Sequence, residues 1–256
     1  MDVFIAGGDR RNAHLARLLR AGGLDARAAG LEKCALEGVS HAPLAAAAEA
    51  DWVLLNSPVK CELAERPFGL GELLSCLRPG ARLVFLGPAA PPAGLEGFRV
   101  FDLMADEAFL RRNAALTAEG AVEKLMASSP RSLWGSSVLV TGWGRIAKIL
   151  SLRLYALGAA VTVAARKEGD RAMARALGLE ALDFPQLPEA LGSFDFVVNT
   201  VPEQVLGEKE LGLIRRDALL LELASAPGGV KITRVDILCK MERFDALKRA
   251  MFDIGI

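Results

Sequence analysis

Gly142, Gly144 and Ala147 stand in the order GxGxxA, directly after the apolar run at residues 138–141 and directly before a segment with helical spacing. The first glycine suits a tight backbone turn, the second leaves room where a side chain would collide with an anion, and the third small residue lets helix and strand pack closely. That combination seats a pyrophosphate at a helix N-terminus. The spacing alone recurs by chance in many chains, so its weight comes from the strand-like run before it and the helix-like run after it. Dinucleotide binding is the reading it favours, with Gly142, Trp143, Gly144, Arg145 and Ile146 around the phosphates. A purely structural turn is the competing one.

Further residues extend this site. An acidic residue at the end of the strand after such a turn normally accepts hydrogen bonds from an adenosine ribose diol. Arg166 and Lys167 stand there instead, and a cationic pair suits an additional 2′-phosphate, so NADP is expected ahead of NAD, with NAD still open. A solvated basic loop is the alternative. Asn199, Thr200, Val201 and Pro202 follow the run FDFVVN, and Ala224 and Ser225 follow ALLLEL, both at the edge where open α/β sheets bind ligands. They are expected around ribose and nicotinamide, ordinary turn chemistry being the alternative.

A second glycine turn reads Gly7, Gly8, Asp9, with Asn12 in the third small position. A carboxylate where the second glycine should admit a phosphate opposes a nucleotide by charge and by bulk. Asp9 and Arg10 are better suited to a small polar ligand, or Asp9 simply caps the following helix.

Positioning these residues calls for strands and helices in alternation. Residues 3–30 and 138–166 each read as strand, glycine turn, amphipathic helix and strand, and further apolar runs fall at 52–56, 82–87, 194–200 and 218–224. The expected fold class is α/β: two Rossmann-like, doubly wound domains in tandem, with parallel sheets flanked by helices. A Ser, Pro and Gly-rich stretch near residues 133–137 marks the boundary, giving domains 1–134 and 135–256. The segment before it reads as a long helical connection with Thr117 as an N-cap.

The bulk figures agree. Fifty-two per cent of the 256 residues are hydrophobic and 31 basic residues balance 31 acidic ones, so no global field draws the chain to nucleic acid or an anionic membrane. Cys34, Cys61, Cys76 and Cys239 form no CxxC pair, which argues against a metal site or a disulfide framework. No run approaches a membrane span and the N-terminus lacks signal-peptide features, so a soluble cytoplasmic protein is expected.

The order of the motifs resembles one family. IAGGDRR, NAALTAEGAVEKLM, GSSVLVTGWGRIAK, LGAAVTVAARK, FVVNTVPEQVL and LELASAPGG follow the pattern of the A subunit of dipicolinate synthase, an enzyme of spore formation, over about residues 1–229. The resemblance implies an N-terminal Rossmann-like substrate domain and an NAD(P)-binding domain with the active site in the cleft. It also implies NAD(P)-linked oxidation of a dihydrodipicolinate-type intermediate to pyridine-2,6-dicarboxylate. The partner it implies is the synthase's second, flavoprotein-like B subunit; a homo-oligomer is compatible with it. It gives Gly142 to Ile146, Arg166 and Asn199 to Pro202 to the cofactor. Asn113, Thr117 and Glu119 then take catalytic roles, with Asp9, Arg10, Ser57 and Gly87 at the substrate.

Glu119 is the expected base, a helix-terminal carboxylate being its other reading. His14 and His41 sit in no catalytic pattern. After PGGV the family pattern leads to a proline and glycine-rich loop on the nicotinamide side. Residues 231–256 depart from it, as a divergent or altered-frame tail, so a nucleotide-binding subunit without catalysis of its own stands next to the enzyme reading. A 2-hydroxyacid or shikimate type of dehydrogenase is the remaining alternative.

Overall fold

The computed structural model describes residues 1–87, 89–224 and 228–230. They fall into two compact units that divide between Asn113 and Ala114. In the first, β1 (Asp2–Ala6), α1 (Arg10–Ala21), β2 (Asp25–Ala29), β3 (Ser40–His41), β4 (Trp52–Leu55), α2 (Leu70–Cys76), β5 (Arg82–Phe85) and β6 (Arg99–Asp102) build a parallel sheet in the order β3-β2-β1-β4-β5-β6.

Alternation along β1 shows why these residues form a central strand. Val3 and Ile5 join Leu54, Val84 and the α1 residues Ala13, Leu15 and Ala16 on one face. Phe4 and Ala6 join Val53, Leu55, Phe85 and Leu73 of α2 on the other. Both faces of the strand are covered, as parallel strands require.

The helix α3 (Glu107–Ala127) spans the division. It is continuous through Thr117, so Thr117 is not an N-cap and Glu119 is not a helix-terminal carboxylate. Asp106 caps instead, its Oδ1 accepting from the amides of Ala108 at 2.8 Å and Phe109 at 3.2 Å. The alanines and leucines on either side of Thr117 propagate the helix, and an interior threonine costs too little to break it.

The second unit holds β7 (Ser137–Thr141), α4 (Arg145–Ala156), β8 (Ala160–Ala164), α5 (Glu168–Ala176), β9 (Glu180–Leu182), α6 (Leu187–Ala190), β10 (Phe196–Asn199), α7 (Glu208–Leu213) and β11 (Leu219–Glu222). Its parallel sheet runs β11-β10-β7-β8-β9. Val138, Val140, Val161, Val163 and Phe196 pack on Ala147, Leu150 and Leu154 of α4 and on Ala118, Ala121 and Leu125 of α3. Leu139 and Val197 pack on the opposite side with Leu187, Leu191 and Leu206.

Both sheets reverse strand order beside their first strand, between β1 and β4 and between β7 and β10. That reversal opens a crevice at the carboxyl ends of the strands. Each glycine turn lies there. Among the described residues no helix is long and apolar enough to cross a membrane, and none group as a cluster of metal-ligating side chains.

Candidate functional site

The chain leaves β7 through Gly142, whose φ is +92°. Its amide donates to the Ala164 carbonyl at 2.8 Å, and a Cβ there would meet Thr200 Oγ1 at 2.8 Å and Val201 Cγ2 at 3.0 Å. Both backbone angle and space demand glycine. Gly144 has an ordinary extended backbone, and a Cβ on it would meet nothing within 4 Å. It is the N-cap of α4 and offers no side chain to the amides of the first turn. Ala147 is fully buried where α4 meets the sheet. An open seat, a helix of twelve residues without a side-chain cap and its positive dipole end together fit a pyrophosphate.

Trp143 is placed differently from expectation. Its side chain is buried in the core with Ala118, Ala121 and Leu125, so only its backbone belongs to the turn. The ring's size and apolarity carry it inward, and the Lys148 ammonium stands 5.9 Å from its centroid. Arg145 is exposed and Ile146 half-buried on the first turn of α4.

At the end of β8, Arg166 and Lys167 are exposed, and Lys167 is the N-cap of α5. Arg166 Nη1 lies 3.1 Å from Glu203 Oε2 in the loop after β10. The backbone beneath is held by Arg171, whose Nη1 donates to the carbonyls of Ala165 at 2.6 Å and Arg166 at 2.8 Å. Arg171 also pairs with Glu168 at 2.7 Å and Asp183 at 3.1 Å. Arg171 and Arg175 in turn hold the Glu168 carboxyl below its ordinary range.

Asn199 closes β10 fully buried. Its Oδ1 accepts from the Thr141 hydroxyl and, at 3.2 Å, from the Val201 amide. Its Nδ2 donates to the Val201 carbonyl at 3.0 Å and to the Glu222 carboxylate at 2.9 Å. Glu222 accepts further bonds from the amides of Ala224 at 2.7 Å and Gly229 at 3.2 Å. Asn199 thus spends its amide on joining the ends of β7, β10 and β11, and orders the turn rather than facing a ribose. Thr200 Oγ1 donates to the Thr141 carbonyl at 2.7 Å, which leaves Val201 and the exposed Pro202 as the loop's outer residues. Ser225 lies outside the described residues.

The first glycine turn is built shut. A Cβ on Gly8 would fall 2.2 Å from Asn12 Oδ1, and that same oxygen accepts from the Asp9 amide at 3.2 Å. Asp9 caps α1, accepting from the Arg11 amide at 2.9 Å and from its guanidinium at 2.7 Å. Side chains of the protein therefore fill the anion seat that α4 leaves open. Arg10 is exposed on the first turn. Ser57 and Gly87 meet at the ends of β4 and β5: a Cβ on Gly87 would lie 2.4 Å from the Ser57 amide, and Ser57 Oγ donates to the Ala90 carbonyl at 2.8 Å.

Residues 104–230 match the model of the D-isomer specific 2-hydroxyacid dehydrogenase family, NAD binding domain. The A subunit of dipicolinate synthase from Bacillus subtilis (strain 168) is 32% identical over 117 residues, which are 46% of this chain and 39% of that protein. The chain is a relative of the dipicolinate synthase A subunit. The aligned part is well under two thirds of that relative's length. Solved structures share the fold: the dipicolinate synthase A subunit of Bacillus halodurans has a TM-score of 0.69 at 23% identity, covering 90% of this chain and 84% of that one. The A chain from Bacillus subtilis has a TM-score of 0.65 at 22% identity, with 90% and 82% covered. A transhydrogenase from Sinorhizobium meliloti has 0.62 at 17%, with 94% and 84% covered. The second unit is thus a nicotinamide dinucleotide-binding domain of dehydrogenase type.

In this synthase relative, the three residues expected to be catalytic lie along one helix. Asn113 ends the first compact unit, whereas Thr117 and Glu119 are in the second. Glu119 is exposed in a shallow groove with Val122, Arg153, Ala156 and Leu157. Arg153 and Ala156 belong to the last turn of α4, about 12 Å and about 17 Å of helix axis from Arg145. Glu119 therefore sits at the opposite end of α4 from the glycine turn, a placement that argues against its acting as base on a group held there.

Three residues of the carboxyl edge escape sequence reasoning: Arg171, Glu203 and Glu222. Glu222 carries a signal, a carboxylate closing the apolar run LLLE. Arg171 and Glu203 lie in helix and loop segments where charges are ordinary.

Proposed function

We propose that the chain is an NADP-preferring oxidoreductase that forms pyridine-2,6-dicarboxylate from a dihydrodipicolinate-type intermediate in spore formation, working with a second, flavoprotein-like subunit. The observation that carries the cofactor half is the open seat at Gly144 on the N-terminus of α4, with Arg166 at the end of the neighbouring strand. When bound, an oxidised nicotinamide would supply the hydride acceptor, and loss of a hydride and a proton from the dihydropyridine substrate makes the substrate's ring aromatic. The chain's own contribution is to hold and orient: Gly142 and Gly144 admit the pyrophosphate, Arg166 and Lys167 attract a 2′-phosphate, and Asn199 with Glu222 fixes the loops along the edge. The substrate assignment, with Asp9, Arg10, Ser57 and Gly87 toward a dicarboxylate, rests on kinship with the synthase.

A second reading is a nucleotide-binding subunit that organises a partner without doing chemistry. The position of Glu119, at the far end of α4, favours it. The test is thermal melting of the purified chain with NADP and NAD, followed by turnover with the second subunit, read as pyridine dicarboxylate absorbance. A larger melting shift with NADP and turnover by the chain alone support the enzyme; no shift with either nucleotide refutes the cofactor role. Turnover that needs both subunits and none by the chain alone leaves the organising role, and turnover by the partner without the chain removes it.

A further inference from the structure

The pairing of Arg166 with Glu203 bears on which dinucleotide the edge accepts. The two side chains, about two thirds exposed, reach across from the ends of β8 and β10. They border a cavity of about 330 Å³ whose other walls include Phe184, Leu187, Val205 and Glu210. Arg171 clamps the carbonyls of Ala165 and Arg166, so the backbone is fixed and the guanidinium end of Arg166 is what can adjust. The neighbouring carboxylates have other tasks: Glu168 pairs with Arg171 and Arg175, and Glu210 Oε2 accepts from the Gly207 amide at 3.0 Å.

We propose that Glu203 is a specificity-determining residue that restrains the preference for a 2′-phosphate, because a phosphate and the Glu203 carboxylate compete for the Arg166 guanidinium. This rests on the reading that Arg166 faces the adenosine ribose. A 2′-phosphate carries between one and two negative charges near neutrality, so binding it displaces the ion pair and brings like charges together. An unphosphorylated ribose leaves the pair intact. Exposed ion pairs are weak, which sets a modest effect.

Calorimetric titration of the full chain with NADP and with NAD tests this on wild type, Glu203→Gln, Arg166→Ala and the double variant. Glu203→Gln is expected to tighten NADP about two- to fivefold while NAD stays within about 1.5-fold. In the double variant, compared with Arg166→Ala, that gain is smaller, since no guanidinium remains to be released and only the like-charge repulsion is relieved. Binding with an unchanged NADP to NAD ratio in Glu203→Gln, or an equal gain in the Arg166→Ala background, overturns the proposal alone. Failure of wild type to bind either nucleotide removes the underlying reading and the proposal with it.

Discussion

Gly142 and Gly144 are two residues apart and do different jobs, and substitution separates them. Gly142 sits at φ +92° with Thr200 and Val201 against it, so Gly142→Ala is expected to cost about 1–2 kcal/mol of stability. Gly144 faces open space with a backbone any residue adopts. Gly144→Asp should give α4 the cap that Asp9 gives α1, leaving stability unchanged or raising it by about 0.5 kcal/mol. The same carboxylate occupies the anion seat, so dinucleotide affinity should fall more than about tenfold. Chemical denaturation and nucleotide titration on the two variants check the pair. Loss of binding together with loss of stability in Gly144→Asp would contradict the assignment of that space to a ligand.

The element that joins the strands of the second sheet at their amino ends is electrostatic. Asp195, just before β10, accepts from the Ser137 amide and hydroxyl at the start of β7, each at 2.9 Å, and lies near Arg131 at 3.5 Å and Arg215 at 3.4 Å. Asp217, just before β11, pairs with Arg215 at 2.8 Å and with Arg131. The Ser137 amide above all holds the Asp195 carboxyl below its ordinary range, and hydrogen bonding from Arg215 pulls Asp217 to about 2. Folded values depressed below the unfolded ones mean stability that is present above about pH 4 and lost as pH falls toward about 2. Asp195→Asn should cost about 1–2 kcal/mol near neutrality, and its deficit against wild type should shrink as pH falls below the ordinary carboxylate range, about pH 4. Urea unfolding at about pH 7, 5 and 3 measures it; a deficit independent of pH would mean the charge of Asp195 is not what ties the strands.

These amino-end ties are illegible in the chain, because Arg131, Asp195, Arg215 and Asp217 are far apart in sequence and are ordinary loop charges until the strands align. The strands themselves are legible: β4, β5, β10 and β11 lie inside apolar runs bounded by turn residues, since strands covered on both faces need apolar side chains at every position. The two-residue β3 and the half-exposed β6 have no such run. At the carboxyl edge, Gly142 is readable because its positive φ and its close neighbours restrict residue type. Asn199 reads in sequence as a ligand contact, yet burial beside Glu222 decides its role, and burial depends on β11 lying next to β10.

Across the whole molecule a parallel sheet that reverses beside its first strand occurs twice, with helix N-termini at equivalent places and opposite fates. In the first unit the α1 terminus is satisfied from within by Asp9 and Asn12; in the second the α4 terminus has no side-chain cap and is open to an acceptor from outside. Duplication of a scaffold therefore does not duplicate its ligand, because one side chain at the N-cap decides whether the helix dipole acts on the protein or on an anion. Hydrogen exchange with and without NADP makes the asymmetry measurable. Added dinucleotide should slow exchange of the amides at the start of α4, about residues 144–147, since a bound phosphate takes the place of water as their acceptor, whereas the Lys148 amide already donates to the Gly144 carbonyl. The first turn of α1, about residues 10–13, should exchange at the same rate in both conditions. Protection of both turns alike would mean that the Asp9 cap is no barrier to a phosphate, and the division of labour between the two units would have to be redrawn.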